Sequence, residues 1–354
     1  PTDAFAPYYL GNFWYANRQY TEAIEAWEKA ATLNPGFATV HRNLALAYHN
    51  KQNNPSKALK SLEQAFALDT RDARVLMELD QLYKKMNVAH EIRLGLLEKH
   101  STLTEDRDDL YLERITLYNQ IGNFEKAKQL IAERQFHPWE GGEGKVVGQY
   151  LISHIELAKK AIGEDRYNDA LELLEQAETY PHNLAEGKLY GAQENDIFYL
   201  KGCCYEHLNV AEMSKTFFAK ATVGLSEPVQ AVYYNDQQPD KIFYQGLAWK
   251  KLGNSTKAEQ IFNRLIAFGK EHMDDVIRID YFAVSLPDLL VFDQDLNIRN
   301  KIHCHYLIAL GYLGLNNGKW PEAEKHFTLV LDQDCNHLGA AIHRRMLNTA
   351  VLID

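Results

Sequence analysis

The sequence predicts an all-α fold, a right-handed α-α superhelix of about eight helix pairs with inserted loops and a C-terminal capping helix. Three observations predict it. Small and large apolar residues return about every 34 residues. Turn residues fall between the halves of each period, and Gly- and Pro-containing stretches interrupt the period without ending it. In the first period Gly11, Ala23 and Ala30 are small, so two antiparallel helices can approach closely. Trp14 and Trp27 fill the space beside that contact, and Pro35 ends the second helix. Such a pair cannot bury its apolar face alone, so neighbours must stack on it.

The later units follow in order. The second carries Leu44, Ala45 and Tyr48, then Ala58, Leu62 and Ala65 after an insertion near Asn53-Asn54-Pro55. The third keeps large residues at Leu79, Tyr83, Ile92 and Leu96, but its small positions have decayed. The fourth reads Tyr111, Ile115 and Tyr118, the turn Gly122-Asn123-Phe124, then Ala127 and Ile131. Residues 136–145 hold glycines and a proline and cannot be a helix interior. They are expected to form a junction between an N-terminal half, 1–135 with repeats 1–4, and a C-terminal half, 146–354 with repeats 5–8. The fifth unit has Ala158, Ala161, Tyr167, Ala170, Leu174 and Ala177, closed by Pro181; the sixth has Phe198, Gly202, Tyr205, Phe218 and Ala221. A polar, aromatic insertion at 224–240 precedes the seventh, with Gly246, Trp249, Ala258 and Phe262. A second insertion, 268–300, is rich in apolar residues from Val276 to Phe292, so it is expected to be ordered and to berth on the groove or edge of the last two repeats. The eighth unit has Leu310, Gly311, Gly318, Trp320, Ala323, Phe327 and Val330. A last helix from about Leu338 to Val351, with Arg344, Arg345 and Asn348, is expected to be a solvating cap.

The chain has 354 residues, of which 46% are hydrophobic and 24% charged, a globular composition. A net charge of −10 argues against nucleic acid or an anionic membrane as partner. No apolar run approaches the ~20 residues of a membrane span. The first residues carry neither Met nor a signal peptide, the expectation being a fragment of a longer protein, cytoplasmic or periplasmic if bacterial. Cys203, Cys204, Cys304 and Cys335 read as free thiols.

Chemical motifs fail on spacing. Before Gly144-Lys145 the glycine a phosphate loop requires is Trp139, and Val146 replaces its Ser/Thr. His90-Glu91 begins a zinc-protease string, but Leu94 takes the second histidine position. His303 and His305 would point ~200° apart on a helix, too far to share a metal. The expectation is no catalytic residue, no metal and no cofactor.

The Leu-Gly…Trp…Ala…Trp…Ala…Pro stretch and Gly-Lys-Trp-Pro-Glu-Ala (318–323) resemble tetratricopeptide repeat proteins. The segments beginning at Phe136, Tyr233 and Asp280 are similar to the C-terminal repeat region of large proteins of gut Bacteroidetes, which carry a β-rich N-terminal part with ascribed carbohydrate-related activity. The resemblance implies a groove lined by the first helix of each pair, here Tyr8, Asn12, Tyr15, Arg42, Asn43, Leu46, His49, Arg74, Met77, Gln81, Lys84 and Lys85. Four of the residues implied for the groove are fixed cations and none is acidic, a reversal of the whole chain's sign that points to an anionic or C-terminal peptide. Asn12, Asn43 and Arg74 match three positions of the family's carboxylate clamp, but Tyr8 and Glu78 replace two of its cations, which argues against that ligand.

The function implied is a non-enzymatic scaffold for protein–protein or interdomain contacts. Its partner is a protein or peptide, the absent N-terminal part of the same protein included. The alternative is an accessory module of a carbohydrate-active protein. In that reading Trp139, Glu140, Glu143, Tyr233, Tyr234 and Asp236 form a candidate ligand loop, with the aromatic rings stacking on sugar and the carboxylates bonding hydroxyls.

Overall fold

The computed structural model describes residues 3–139, 141–230, 236–278, 291–316 and 320–347. The described residues contain α-helices, one 3-10 turn and no strand. In chain order they are α1 (Phe5–Ala16), α2 (Tyr20–Leu33), α3 (Ala38–Asn50), α4 (Pro55–Leu68), α5 (Ala73–Lys85), α6 (His90–Lys99), the short α7 (Ser101–Glu105), α8 (Asp108–Gln120) and α9 (Phe124–Glu133). Then follow α10 (Lys145–Gly163), α11 (Tyr167–Ala177), a 3-10 turn (His182–Leu184), α12 (Asn195–His207), α13 (Ala211–Ala221), α14 (Pro239–Lys251), α15 (Ser255–Glu271), α16 (Leu296–Leu315), α17 (Trp320–Gln333) and α18 (Leu338–Met346). Among the described residues no helix is long and apolar enough to cross a membrane.

The turns have a common device. Asn53, Gly122 and Gly253 adopt left-handed φ, and the residue after each is an asparagine N-cap. Asn54, Asn123 and Asn254 accept from the amides of Lys57, Lys126 and Lys257 at 3.0, 3.2 and 3.1 Å. One left-handed residue reverses the chain, and the next satisfies the new helix's free amides.

Packing is set where a bare backbone faces an aromatic ring. A Cβ at Gly11 would collide with Trp27, at Gly202 with Phe218, and at Gly246 or Gly314 with Phe262. Between α15 and α16 the approach is reciprocal. A Cβ at Gly269 would lie 2.6 Å from the Cys304 carbonyl oxygen, and one at Gly311 would lie 2.5 Å from that of Phe262.

The chain divides into two compact units. Among the described residues, the first holds those up to Leu117 together with 291–294, and the second holds the others. The division falls inside α8 and not at 136–145, so the expected junction loop joins elements of one unit. Its anchor is Phe136, 1% exposed, rather than Trp139, which is half-buried. The Phe136 amide donates to the Asn183 carbonyl at 2.9 Å, and Asn183 Nδ2 donates to the carbonyls of Ile131 and Arg134 at the end of α9. These bonds close the loop, and α9 packs on α10.

Two other expectations change. The 268–300 insertion is shorter in structure, because α15 runs to Glu271 and α16 begins at Leu296. Residues 279–290 lie outside the described residues, but Val291–Gln294 belong to the first unit, not to repeats 7 and 8. The last helix covers the end of the unit with one face: α18 buries Leu338, Ala340, Ile342, His343 and Met346 and leaves Arg345 exposed. Gln120 Nε2 donates to the Asn336 carbonyl at 2.6 Å, and the Arg345 guanidinium lies 5.9 Å from the Phe124 ring centre. The second unit therefore closes on itself, with its end held against its start. Gly318 and Asn348 lie outside the described residues.

Gly311→Ala tests the close approach. Alanine gains about 1 kcal/mol in helix propensity. A Cβ pressed on a carbonyl of α15 cannot be relieved by a rotamer change, and overpacking of this kind costs about 1–3 kcal/mol. Urea unfolding should show net destabilisation despite the better helix former.

Candidate functional site

The N-terminal groove residues come from α1, α3 and α5, and the structure brings them together within the first unit. Four of them serve the scaffold. Asn12 Oδ1 accepts from Trp27 Nε1 at 3.1 Å and from Asn43 Nδ2 at 3.4 Å, so both clamp-like asparagines face each other. Tyr8 packs on Phe37 at 4.9 Å between ring centres, and Tyr15 packs on Tyr20 and Trp27 at 5.1 and 5.3 Å. Burial, then Tyr20 and Asp293, push the Tyr15 phenol above its ordinary pKa.

Arg42, Arg74 and Lys84 meet carboxylates, the two arginines sharing one, which reduces the expected positive surface. Arg42 donates from Nε and Nη2 to the Glu78 carboxylate at 2.6 and 2.5 Å, and Arg74 Nε adds a bond at 3.1 Å. Glu78 is fully buried between them. Lys84 Nζ donates to both oxygens of Glu113 at 3.0 and 3.2 Å. Asp293, reaching the groove from far along the chain, lies 3.8 Å from Lys51 Nζ. A sign count along α1, α3 and α5 missed these acids because Glu113 and Asp293 arrive on other segments.

The groove already holds a short piece of its own chain. The Asn50 side chain, at the end of α3, donates through Nδ2 to the Val291 carbonyl and accepts at Oδ1 from the Asp293 amide, each at 2.9 Å. One side-chain amide thus reads both backbone groups flanking Phe292. The Phe292 ring is completely buried and meets His49 edge-on, 4.9 Å between centres. Lys85 Nζ reaches the Asp293 carbonyl at 3.5 Å. His49 and Lys85 are therefore contacts of a bound segment, and Asn50 was not foreseen.

Beside the groove, α5, α6 and α8 are joined by buried charge. Arg93 is 0% exposed and donates from Nε and Nη2 to Asp80 at 3.0 and 2.8 Å, and from Nη2 to Glu113 at 2.6 Å.

Two stretches match family models: residues 11–52 a TPR repeat model, and residues 242–267 a tetratricopeptide repeat model. Each of these two stretches is similar to a tetratricopeptide repeat. Among solved structures, a tetratricopeptide repeat protein from Parabacteroides merdae is similar at 12% identity over 74% of this chain and 91% of its own, with a TM-score of 0.42. YrrB, described as a TPR protein with an unusual peptide-binding site, is similar at 17% identity over 52% of this chain and 90% of its own, with a TM-score of 0.37. The Naa15/Naa10 complex bound to HypK-THB is similar at 12% identity over 99% of this chain and 56% of the matched chain, with a TM-score of 0.44. Likeness at this level carries no argument about function.

The repeat frame explains the third pair. Ala23 and Ala58 are small, buried residues at equivalent places on α2 and α4. On α6 the residue so buried is Arg93, and Asp80 on α5 supplies its counter-charge.

The candidate ligand loop is only partly assembled. Glu140, Tyr233 and Tyr234 lie outside the described residues. Trp139 lies against Gly142, where a Cβ would collide with the indole, and it lines a depression of about 450 Å³ with His137, Glu143 and Glu186. Both oxygens of Glu186 accept from the Gly144 amide, at 2.9 and 3.1 Å, and burial raises the Glu186 carboxyl. Asp236 sits apart from this depression, its carbonyl accepting from Gln193 and Gln238. Among the described residues no three His, Cys, Asp or Glu converge as metal ligands.

Two outcomes test the charge network. Arg93→Ala leaves Asp80 buried without its partner and should destabilise the first unit by about 3–5 kcal/mol in urea unfolding. Burial raises the Glu113 carboxyl, but Lys84 and Arg93 outweigh it and hold the group at about 2. A carboxyl depressed in the folded state adds stability above its unfolded value of about 4.3, and that stability is lost as pH falls toward the folded value. The unfolding midpoint of the first unit should therefore drop between about pH 4.5 and 2, and Glu113→Gln should flatten that drop.

Proposed function

We propose that this chain is a non-enzymatic scaffold that binds a protein or peptide partner, and that the groove of the first unit is the seat for an extended peptide. One observation carries the reading: Asn50 pairs with the backbone on both sides of a buried Phe292. Backbone pairing through a side-chain amide is independent of the ligand's sequence, while the His49-walled socket selects an aromatic ring. Lys51 and Lys85 flank the residue after that ring and favour an acid there. The ion pairs of Arg42, Arg74 and Lys84 weaken the case for a bare anionic tail and leave an aromatic–acidic segment as the better ligand.

The internal segment competes with any such partner at an effective concentration on the order of mM. A labelled peptide Leu-Leu-Val-Phe-Asp-Gln-Asp, copied from residues 289–295, should bind the wild-type chain weakly and a Phe292→Ala chain at least tenfold more tightly. Asn50→Ala in the Phe292→Ala background should remove that gain. Fluorescence anisotropy reads both steps, and equal peptide binding by all three chains contradicts the proposal.

A further inference from the structure

The first helix is apolar on both sides. From Phe5 to Ala16, α1 has no charged side chain, although the whole chain carries a net charge of −10. Its inner face packs on α2, with Gly11 under Trp27 and Tyr15 beside the same indole, while Tyr8 reaches Phe37. Its outer face is open. Phe5, Tyr9, Leu10 and Phe13 are 53%, 64%, 47% and 56% exposed, and Ala6 and Ala16 are exposed among them. At ~100° per residue all six fall within one face about 140° wide. Single apolar side chains in water need no explanation, but four large ones on one uncharged helix face mark a contact surface. A helix apolar all round belongs in an interior.

The ends of the helix say which partner fits. Asp3 precedes α1 and Arg18 follows it, and both are exposed. Asp3 Oδ1 accepts from the Phe5 amide at 2.9 Å, and Arg18 has no ion-pair partner among the described residues. A second α1 laid antiparallel across a two-fold axis at the level of Gly11 matches this pattern. Tyr9 then faces Phe13 of the partner subunit, Ala6 faces Ala16 of the partner subunit, and Asp3 arrives within one residue of Arg18 of the partner subunit. Symmetry makes each of these contacts twice. Opposed helix dipoles favour the same arrangement, whereas a parallel pair would bring Asp3 against its own copy. We propose that the outer face of α1 is a two-fold interface between two copies of this chain, with their first helices antiparallel.

The area sets the strength. Three aromatic rings and a leucine, each about half exposed, leave roughly 400 Å² in water on each copy. A standard stable interface buries about 800 Å² per partner, so the dimer is a weak one, with a dissociation constant on the order of 10–100 µM.

Sedimentation velocity of the full chain from about 2 to 200 µM at low salt tests the interface. The expected result is a reversible monomer–dimer equilibrium. Phe13→Glu puts two carboxylates near the centre of the contact and should leave the chain monomeric throughout. Asp3→Arg and Arg18→Asp, each alone, turn an attraction into a repulsion at two symmetric sites and should weaken the dimer roughly threefold or more. The double variant Asp3→Arg/Arg18→Asp restores the pairing with its ends exchanged and should recover the wild-type constant. Loss of the Asp3 bond to the Phe5 amide would not be rescued in this way, so recovery reports the pairing itself. A monomer at every concentration overturns the proposal and leaves the face to a different protein. A dimer that Phe13→Glu leaves unchanged, or a double variant no tighter than the single ones, overturns it as well.

Discussion

The contact on which the architecture depends is a glycine or alanine backbone on one helix against a large side chain on the next. Gly11 under Trp27, Gly202 under Phe218, and Gly246 with Gly314 around Phe262 set how close the helices of a pair and their neighbours come. That distance decides how far each pair rotates against the last, and so which side chains converge on the inner faces. The third pair breaks the rule. Asp80 and Arg93 stand where small residues belong, and an ion-paired guanidinium spanning α5, α6 and α8 fills the interface instead. Such a pair is weak evidence of net stability, but it fixes orientation, because only one geometry satisfies all the donors.

That orientation places α3 and α5 for the Val291–Asp293 segment. Asn50 spends both functions of its amide on the segment's backbone, and Phe292 joins the hydrophobic core of the first unit. A residue 241 positions away in sequence is thereby part of the same packing problem as Leu44 and Leu76.

The repeat frame was legible because it rests on residue size at fixed spacing, and Gly11, Gly202, Gly246 and Gly311 were all found that way. The asparagine turns at 54, 123 and 254 were legible for the same local reason. What could not be read was address. Apolar content from Val276 to Phe292 says that the segment needs a berth, but nothing in composition says which one. The groove's sign misled because Arg42 meets Glu78 across 36 positions, and Glu113 and Asp293 come from outside the lining helices. Glu78 was visible as a departure from the clamp; that it pairs with two arginines was not. Trp139 drew attention by size, while Phe136, three residues earlier, holds the loop. On α18 the solvated Arg344 and Arg345 were legible, while the buried His343 beside them was not.

The account turns on Asp293, whose amide proton is bonded to a side chain of α3 and to nothing in its own neighbourhood. Amide hydrogen exchange of the intact chain, resolved at Phe292 and Asp293, measures that bond directly. The account predicts that the Asp293 amide exchanges as slowly as the buried amides of α3 and is released together with them as denaturant rises. Exchange at the rate of an unstructured peptide, with α3 still protected, would contradict it.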